Sequence, residues 1–356
     1  MALTADAASV VDIPYSVLDA SSSSSGASVT ELDDALSKAF GPGGLGILTV
    51  SGVPDFEKLR GALLPLAREF AELPDDAKQK YEDEKSFYAF GWSHGKEKLS
   101  DGKFDTHKGS YYNNPVEDRP CDDDELMERH PSYLRPNVWP AVELPALEPS
   151  FKNLGTCIVN VGQKLLRHCD AYVRSRKGDD RASSLERAVS DSRCHKARLL
   201  YYFPVSAAGG STKQDTWCGW HKDHGTLTGL VSARFTDAAG SEVPNPAKDA
   251  GLFIRNRAGE VTKVNIPKTS LAFQIGESAQ VASGGLLRAT PHCVCPGATP
   301  TVGVDRSTFA VFMQPSFDYV MSVREEDASS VQTDVDRWSP GVTFGEFTER
   351  TLNKYY

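Results

Sequence analysis

The run Trp220-His221-Lys222-Asp223-His224-Gly225 sets an imidazole and a carboxylate two residues apart. Successive side chains on a strand alternate faces, so there His221 and Asp223 point one way and Lys222 the other. One nitrogen and one carboxylate oxygen on a shared face are two thirds of the 2-His-1-carboxylate set that holds non-haem Fe(II). The third donor must be another imidazole from elsewhere in the chain. His292 is the best candidate, because Ala289-Thr290-Pro291-His292-Cys293-Val294 has a strand pattern. Three protein ligands on one face of an octahedron leave three positions for a bidentate cosubstrate and O2. A closed four-ligand site would be structural and inert.

A His-x-Asp pair alone is a weak signal, and the other histidines offer less. His94, His107 and His130 fall in a loop-rich region and read as surface or pocket residues. His168 lies beside the apolar stripe of a helix. His195 precedes a strand and has no carboxylate at ligand spacing, and His224 should face away from the pair or sit in a turn. Cys293 and Cys295 flank His292 on the opposite strand face and read as core thiols. A second signal is Asp305-Arg306-Ser307-Thr308-Phe309, where Arg306 and Thr308 share a strand face. An Arg aimed into an apolar barrel is costly unless an anion meets it. A carboxylate paired bidentately with the guanidinium, with a hydroxyl completing the contact, is the natural solution. The plainer reading puts Arg306 at the strand's entrance with its head in solvent.

The elements that must position these residues change character along the chain. Thr30 is expected to cap a helix carrying Leu32, Leu36 and Phe40, stopped by the glycine-rich stretch at 41–44. Gly46 to Val50 reads as a buried strand. Phe56, Leu59, Leu63, Ala67 and Phe70 share one helical face, with Pro65 expected to kink or break it. Residues 84–150 read as loops with short elements. Leu154, Ile158, Val161, Leu165, Cys169 and Tyr172 mark the clearest helix, and 177–193 a surface excursion. Ser21 to Ser25 reads as a flexible turn. From about Arg198, short apolar segments separated by turn residues predict an all-β sandwich or barrel. They are 198–203, 226–235, 252–255, 261–266, 271–275, 286–295 and 307–314. Phe344, Phe347 and Leu352 mark a final helix.

Bulk properties narrow the function. A net charge of -9 without a basic run argues against phosphate-backbone binding. No stretch approaches the roughly 18 apolar residues of a membrane span. The start lacks a basic n-region, and seven scattered cysteines do not make a disulfide scaffold, so a reducing, cytoplasmic setting is expected.

In the order of its motifs the chain resembles the plant-type 2-oxoglutarate/Fe(II)-dependent dioxygenases, the group that shares its fold with isopenicillin N synthase. Arg198-Leu-Leu-Tyr-Tyr-Phe-Pro204 resembles the family's Arg-x-Asn-x-Tyr-Pro-Pro strand, and His221-Lys-Asp223-His-Gly225-Thr-Leu-Thr228 its first ligand strand. Gly251-Leu252, Val264-x-Ile266-Pro267, Phe273-Gln-Ile-Gly276, Gln280 and Ser283-Gly284-Gly285 follow in family order. Arg306-Ser-Thr308 fits the Arg-x-Ser/Thr anchor. Phe70-Ala-Glu-Leu-Pro74, Lys78, Tyr81 and Trp139-Pro140 resemble the amino-terminal half. Leu200 stands where the family has Asn, Phe203 replaces the first Pro, Cys follows His292, and the gap to Arg306 is long. These departures point to a divergent branch.

The resemblance implies a mainly β fold with flanking helices, a double-stranded β-helix (jelly roll) core and an α-rich N-terminal region. It divides the chain into an N-terminal dioxygenase region (1–150), a long helix and connector (151–195), the jelly-roll core (196–320) and a C-terminal helical segment (321–356). It implies His221, Asp223 and His292 on Fe(II). Arg306 and Thr308 would take the distal carboxylate of 2-oxoglutarate, with Tyr202 adding a hydrogen bond. The implied reaction oxidises a small organic molecule by hydroxylation, demethylation or desaturation, consuming O2 and releasing succinate and CO2, with ascorbate as an accessory reductant. A monomer without nucleic-acid or membrane partners is expected. Trp92, His94, Tyr111, Tyr112 and Asn113, with Trp217 and Trp220, are candidates for the pocket wall or for scaffold packing. A same-fold iron oxidase that does not use 2-oxoglutarate and a catalytically inactive metal-binding protein stay open as alternatives. A zinc hydrolase is disfavoured because no general base sits beside the motif.

Overall fold

A computed structural model describes residues 7–19, 26–97, 102, 104–178, 184–204, 217–296, 302–331, 333 and 337–355. The serine run 21–25 lies outside them. The strands in chain order begin with β1 (Ala7–Ala8), β2 (Val11–Pro14), β3 (Ile47–Ser51), β4 (Gly91–His94) and β5 (Lys108–Asn113). Next come β6 (Lys196–Tyr202), β7 (Cys218–His221), β8 (Leu227–Val231), β9 (Arg234–Thr236) and β10 (Glu242–Val243). The last are β11 (Gly251–Arg255), β12 (Val261–Val264), β13 (Ser270–Ile275), β14 (His292–Cys295) and β15 (Asp305–Met313). The smaller sheet runs β1-β12-β11-β14-β7 and the larger β2-β3-β13-β8-β15-β6-β5-β4. The fold is mainly β with flanking helices, a jelly roll whose two sheets enclose an interior.

Alternation along the strands sorts side chains between that interior and the helices outside. Leu199, Tyr201, Leu271, Phe273, Phe309, Val311 and Met313 share one core with Leu154, Ile158 and Leu165 of the helix Leu147–Lys177. Period two then turns Arg198, Leu200, Tyr202, Gln274, Arg306 and Thr308 inward. Gly229 on β8 lets the long helix come close, since a Cβ there would lie 2.1 Å from Ile158 Cγ2. A smaller cluster of Ile47, Ile254, Val264 and Ala272 joins the two sheets and closes the roll at one end.

Several expectations need correction. The first long helix spans Gly26–Phe40, so Thr30 lies inside it and does not cap it. The helix Phe56–Ala71 runs through Pro65 without a break. The segment 226–235 is two strands, and of 286–295 only His292–Cys295 is extended into a strand. Residues 84–150 contain β4 and β5, which extend the larger sheet beyond β6. Lys108-Gly-Ser-Tyr-Tyr-Asn has no apolar alternation because its inward face is polar. Within 177–193, Leu185–Ser190 is a helix, capped by Ser184 and tied to the buried Asp170 of the long helix. No described helix is long and apolar enough to cross a membrane.

Phe273 is fully buried and faces the long helix at Gly162. Phe273→Ala should therefore cost about 3–5 kcal/mol of unfolding free energy, measured by chemical denaturation.

Candidate metal centre

Strands β7 and β14 pair antiparallel with His221 opposite His292. Asp223 is not on the strand that the sequence suggested: β7 ends at His221, and Asp223 lies in the loop that follows. That loop is held by the first turn of the helix Glu277–Ala282. The Asp223 carbonyl accepts from the Glu277 N–H at 2.8 Å, and the Thr226 carbonyl from the Gly276 N–H at 3.1 Å. A Cβ on Gly276 would sit 2.1 Å from the Gly225 carbonyl oxygen, so the approach requires glycine. Lys222 points towards Glu277, whose buried carboxylate pairs with Arg337 at 2.7 Å.

The outcome is one cluster. His221 Nε2 lies 3.6 Å and His292 Nε2 3.8 Å from Asp223 Oδ1, and the ring centroids are 4.3 Å apart. One donor atom from each residue falls within 4.8 Å of the others, the single such metal-type grouping among the described residues. His221 Nδ1 stands 2.7 Å from the Gly219 carbonyl, so Nδ1–H donates there and Nε2 is the atom turned towards Asp223. Burial pushes His292 down to about 4, which leaves it neutral near pH 7. Burial opposes the charge on Asp223, but the two imidazoles and a hydrogen bond from Thr228 outweigh it and hold the carboxyl below its usual range. Burial also opposes a charged His221, yet Cys218 and Asp223 lift it to about 10. Surroundings that favour an imidazolium favour another cation in its place, and a metal binding there displaces the proton.

The family profile described as "non-haem dioxygenase in morphine synthesis N-terminal" matches residues 14–142. No curated relative matches the chain. A putative 2OG-Fe(II) oxygenase from Caulobacter crescentus superposes with a TM-score of 0.70 at 20% identity, covering 99% of this chain and 100% of that one. A full-length Neurospora crassa protein, solved with alpha-KG, gives 0.70 at 16% identity over 99% and 98%. The rice dioxygenase for auxin oxidation gives 0.61 at 18% over 97% and 96%. The chain shares the fold of these 2-oxoglutarate/Fe(II) oxygenases over nearly its whole length.

Within this dioxygenase fold, Arg306 on β15 sits opposite Tyr202 on β6. Its guanidinium lies between two rings, 4.7 Å from Tyr202 and 5.2 Å from Trp217. The residue is 9% exposed, and its Nε and Nη1 have no hydrogen-bond partner among the described residues. Buried, unused donors on a cation are costly and fit an incoming carboxylate. Thr308 shares the inward face, but its hydroxyl donates to the Val231 carbonyl at 3.2 Å. In this geometry its proton is already used by the backbone.

The interior has a charged wall that the sequence did not single out. Arg198 Nη2 and Lys108 Nζ bind Glu97 at 2.7 and 3.0 Å, the Tyr112 hydroxyl adds 3.2 Å, and Lys108 also reaches Asp105 at 2.9 Å. Arg198 opened a recognised motif, but Glu97 follows a strand with no apolar signature. Of the proposed wall aromatics, Tyr112 and Trp217 take part in these inward contacts. Trp92 and Tyr111 pack in the core outside the sheet, and Tyr111 and Asn113 both donate to the Val138 carbonyl. His94 leans on Phe203, and Trp220 packs with Cys293 and Cys295 on the outer face. His195 is buried, while His224 stacks on Phe344 at 5.8 Å.

Two outcomes are expected. Gly276→Ala should displace the Asp223 loop and weaken metal binding in a titration with Co(II), while circular dichroism stays native. Glu97 is held at about 2, because Arg198 and Lys108 outweigh the effect of burial. Its contribution to stability is complete above the ordinary carboxylate range and is lost as pH falls through about 2. Glu97→Gln should therefore flatten the dependence of stability on pH between about 4.5 and 2, read from acid unfolding.

Proposed function

We propose that this protein is a non-haem Fe(II)- and 2-oxoglutarate-dependent oxygenase. It oxidises a small organic molecule by hydroxylation, demethylation or desaturation, with release of succinate and CO2. The observation that carries this reading is one interior holding both a His-Asp-His donor set and a buried Arg with unused donors. His221, Asp223 and His292 would hold the iron through Nε2, Oδ1 and Nε2. Arg306, backed by Tyr202, would take the far carboxylate of 2-oxoglutarate, with Trp217 across the guanidinium excluding water. Thr308 would shape that end of the pocket while its hydroxyl stays on the backbone. When bound, iron and 2-oxoglutarate supply an oxidation by O2 coupled to decarboxylation of the keto acid. The chain's own task is to orient the two and to keep the interior dry.

Solved structures of this fold support a small-molecule substrate. The Neurospora crassa protein was also crystallised with alpha-KG and thymine, and JOX2 with 2OG, Fe and JA. The neutral His292 and the carboxylate of Asp223 suit a divalent cation without further proton loss.

Anaerobic titration of the apoprotein with Fe(II) and then 2-oxoglutarate should develop a weak visible charge-transfer band. Asp223→Ala should abolish the band. Arg306→Leu should raise the 2-oxoglutarate needed by at least about 30-fold, as expected for loss of a buried charge partner. Iron binding without a band would instead favour an oxidase that does not use 2-oxoglutarate.

A further inference from the structure

His221 and His292 each have a partner behind the ring, and that of His292 comes from the opposite sheet. On the inward face of the larger sheet, β13 and β8 pair with Gln274 opposite Thr228. The Gln274 amide reaches across the roll to β14, with Nε2 2.8 Å from His292 Nδ1. Gln274 is fully buried, and its Oε1 has no partner among the described residues.

His292 Nδ1 also lies 3.3 Å from the Thr290 carbonyl oxygen, which can only accept. Nδ1 therefore carries the ring proton, and Nε2, the atom facing Asp223, keeps its lone pair. The opposite tautomer would put a proton on Nε2 and forbid ligation. An N–H cannot accept from an amide N–H, so the Gln274 amide must present its oxygen. A half-turn of the terminal torsion exchanges Oε1 and Nε2 without changing the shape of the side chain. Oε1 then accepts from Nδ1–H and is no longer orphaned.

We propose that Gln274 is a positioning residue, which sets the tautomer and ring rotation of His292. The proposal rests on the metal reading of the site given above. His221 needs no such partner, because Gly219 of its own strand accepts its Nδ1–H. The larger sheet, which carries no ligand, thereby fixes a ligand that belongs to β14. A partner behind a metal-bound imidazole orients the ring and raises the basicity of the ligating nitrogen.

The test is anaerobic titration of the full-length apoprotein with Co(II), with circular dichroism to verify folding. Gln274→Leu should weaken Co(II) binding by about 10–100-fold and alter the ligand-field spectrum. Gln274→Glu keeps an acceptor of the same reach and should bind Co(II) at least as tightly as the parent. If Gln274→Leu does not fold, the Glu variant decides: a Kd about tenfold weaker than the parent's overturns the role of the acceptor. His221→Ala separates the two readings. If it abolishes binding while Gln274→Leu stays within about threefold of the parent, well below the 10–100-fold expected, Gln274 has no positioning role and the metal reading stands. If His221→Ala also leaves binding unchanged, the metal reading itself falls.

Discussion

The pairing of β7 with β14 is the constraint on which the rest of the site depends. It sets His221 directly opposite His292, so two imidazoles from distant parts of the chain meet across a single strand gap. Non-adjacent strands stay in register only if both are locked into the same sheet. β11 supplies that lock, pairing with β14 from Gly251↔Cys295 to Ile254↔His292. The outer face of this sheet, with Phe253, Cys293 and Cys295, is apolar, and a one-residue slip would turn those thiols inward and the imidazole outward. Register and chemistry are thus enforced by the same burial.

The carboxylate is positioned by other means. Asp223 follows the end of a strand, where sheet geometry no longer dictates direction, and the backbone there is fastened by the N-terminal turn of Glu277–Ala282. Glu277 is in turn buried against Arg337, which also donates to Thr351 of the last helix, Phe344–Tyr355. Breaking one side of a buried pair leaves an uncompensated charge, so the C-terminal segment matters to the ligand loop although it carries no ligand. The interior also gathers several cations. Arg198 and Lys108 are answered by Glu97 and Asp105, whereas two donors of Arg306 have no such answer among the described residues. That asymmetry sets Arg306 apart from the ion cluster beside it.

Much of this was legible in the sequence. His221, Asp223 and His292 were recognisable because ligand chemistry restricts residue types and strand alternation restricts spacing. The long helix was legible because one face is continuously apolar. β4 and β5 were not, since a strand whose inward face is Lys108, Ser110 and Tyr112 lacks the alternation that marks a half-buried strand. For Trp92 and Tyr111 the choice between pocket wall and scaffold packing stayed open, because aromatic type does not reveal which face of a sheet it occupies. Gln274 and Thr228 passed as ordinary strand residues, as polar side chains without charge leave no mark in composition or period.

The sequence by itself determined the donor set, the jelly-roll class and the Arg-x-Thr strand, because each rests on residue type and on short-range periodicity. Only the tertiary structure decided that the Thr308 hydroxyl is spent on Val231, that Arg306 retains unused donors, and that Gln274 stands behind His292. Those facts depend on which strands lie side by side. Pairing between strands far apart in the chain is selected by the burial of the whole fold, and no local stretch of residues encodes it.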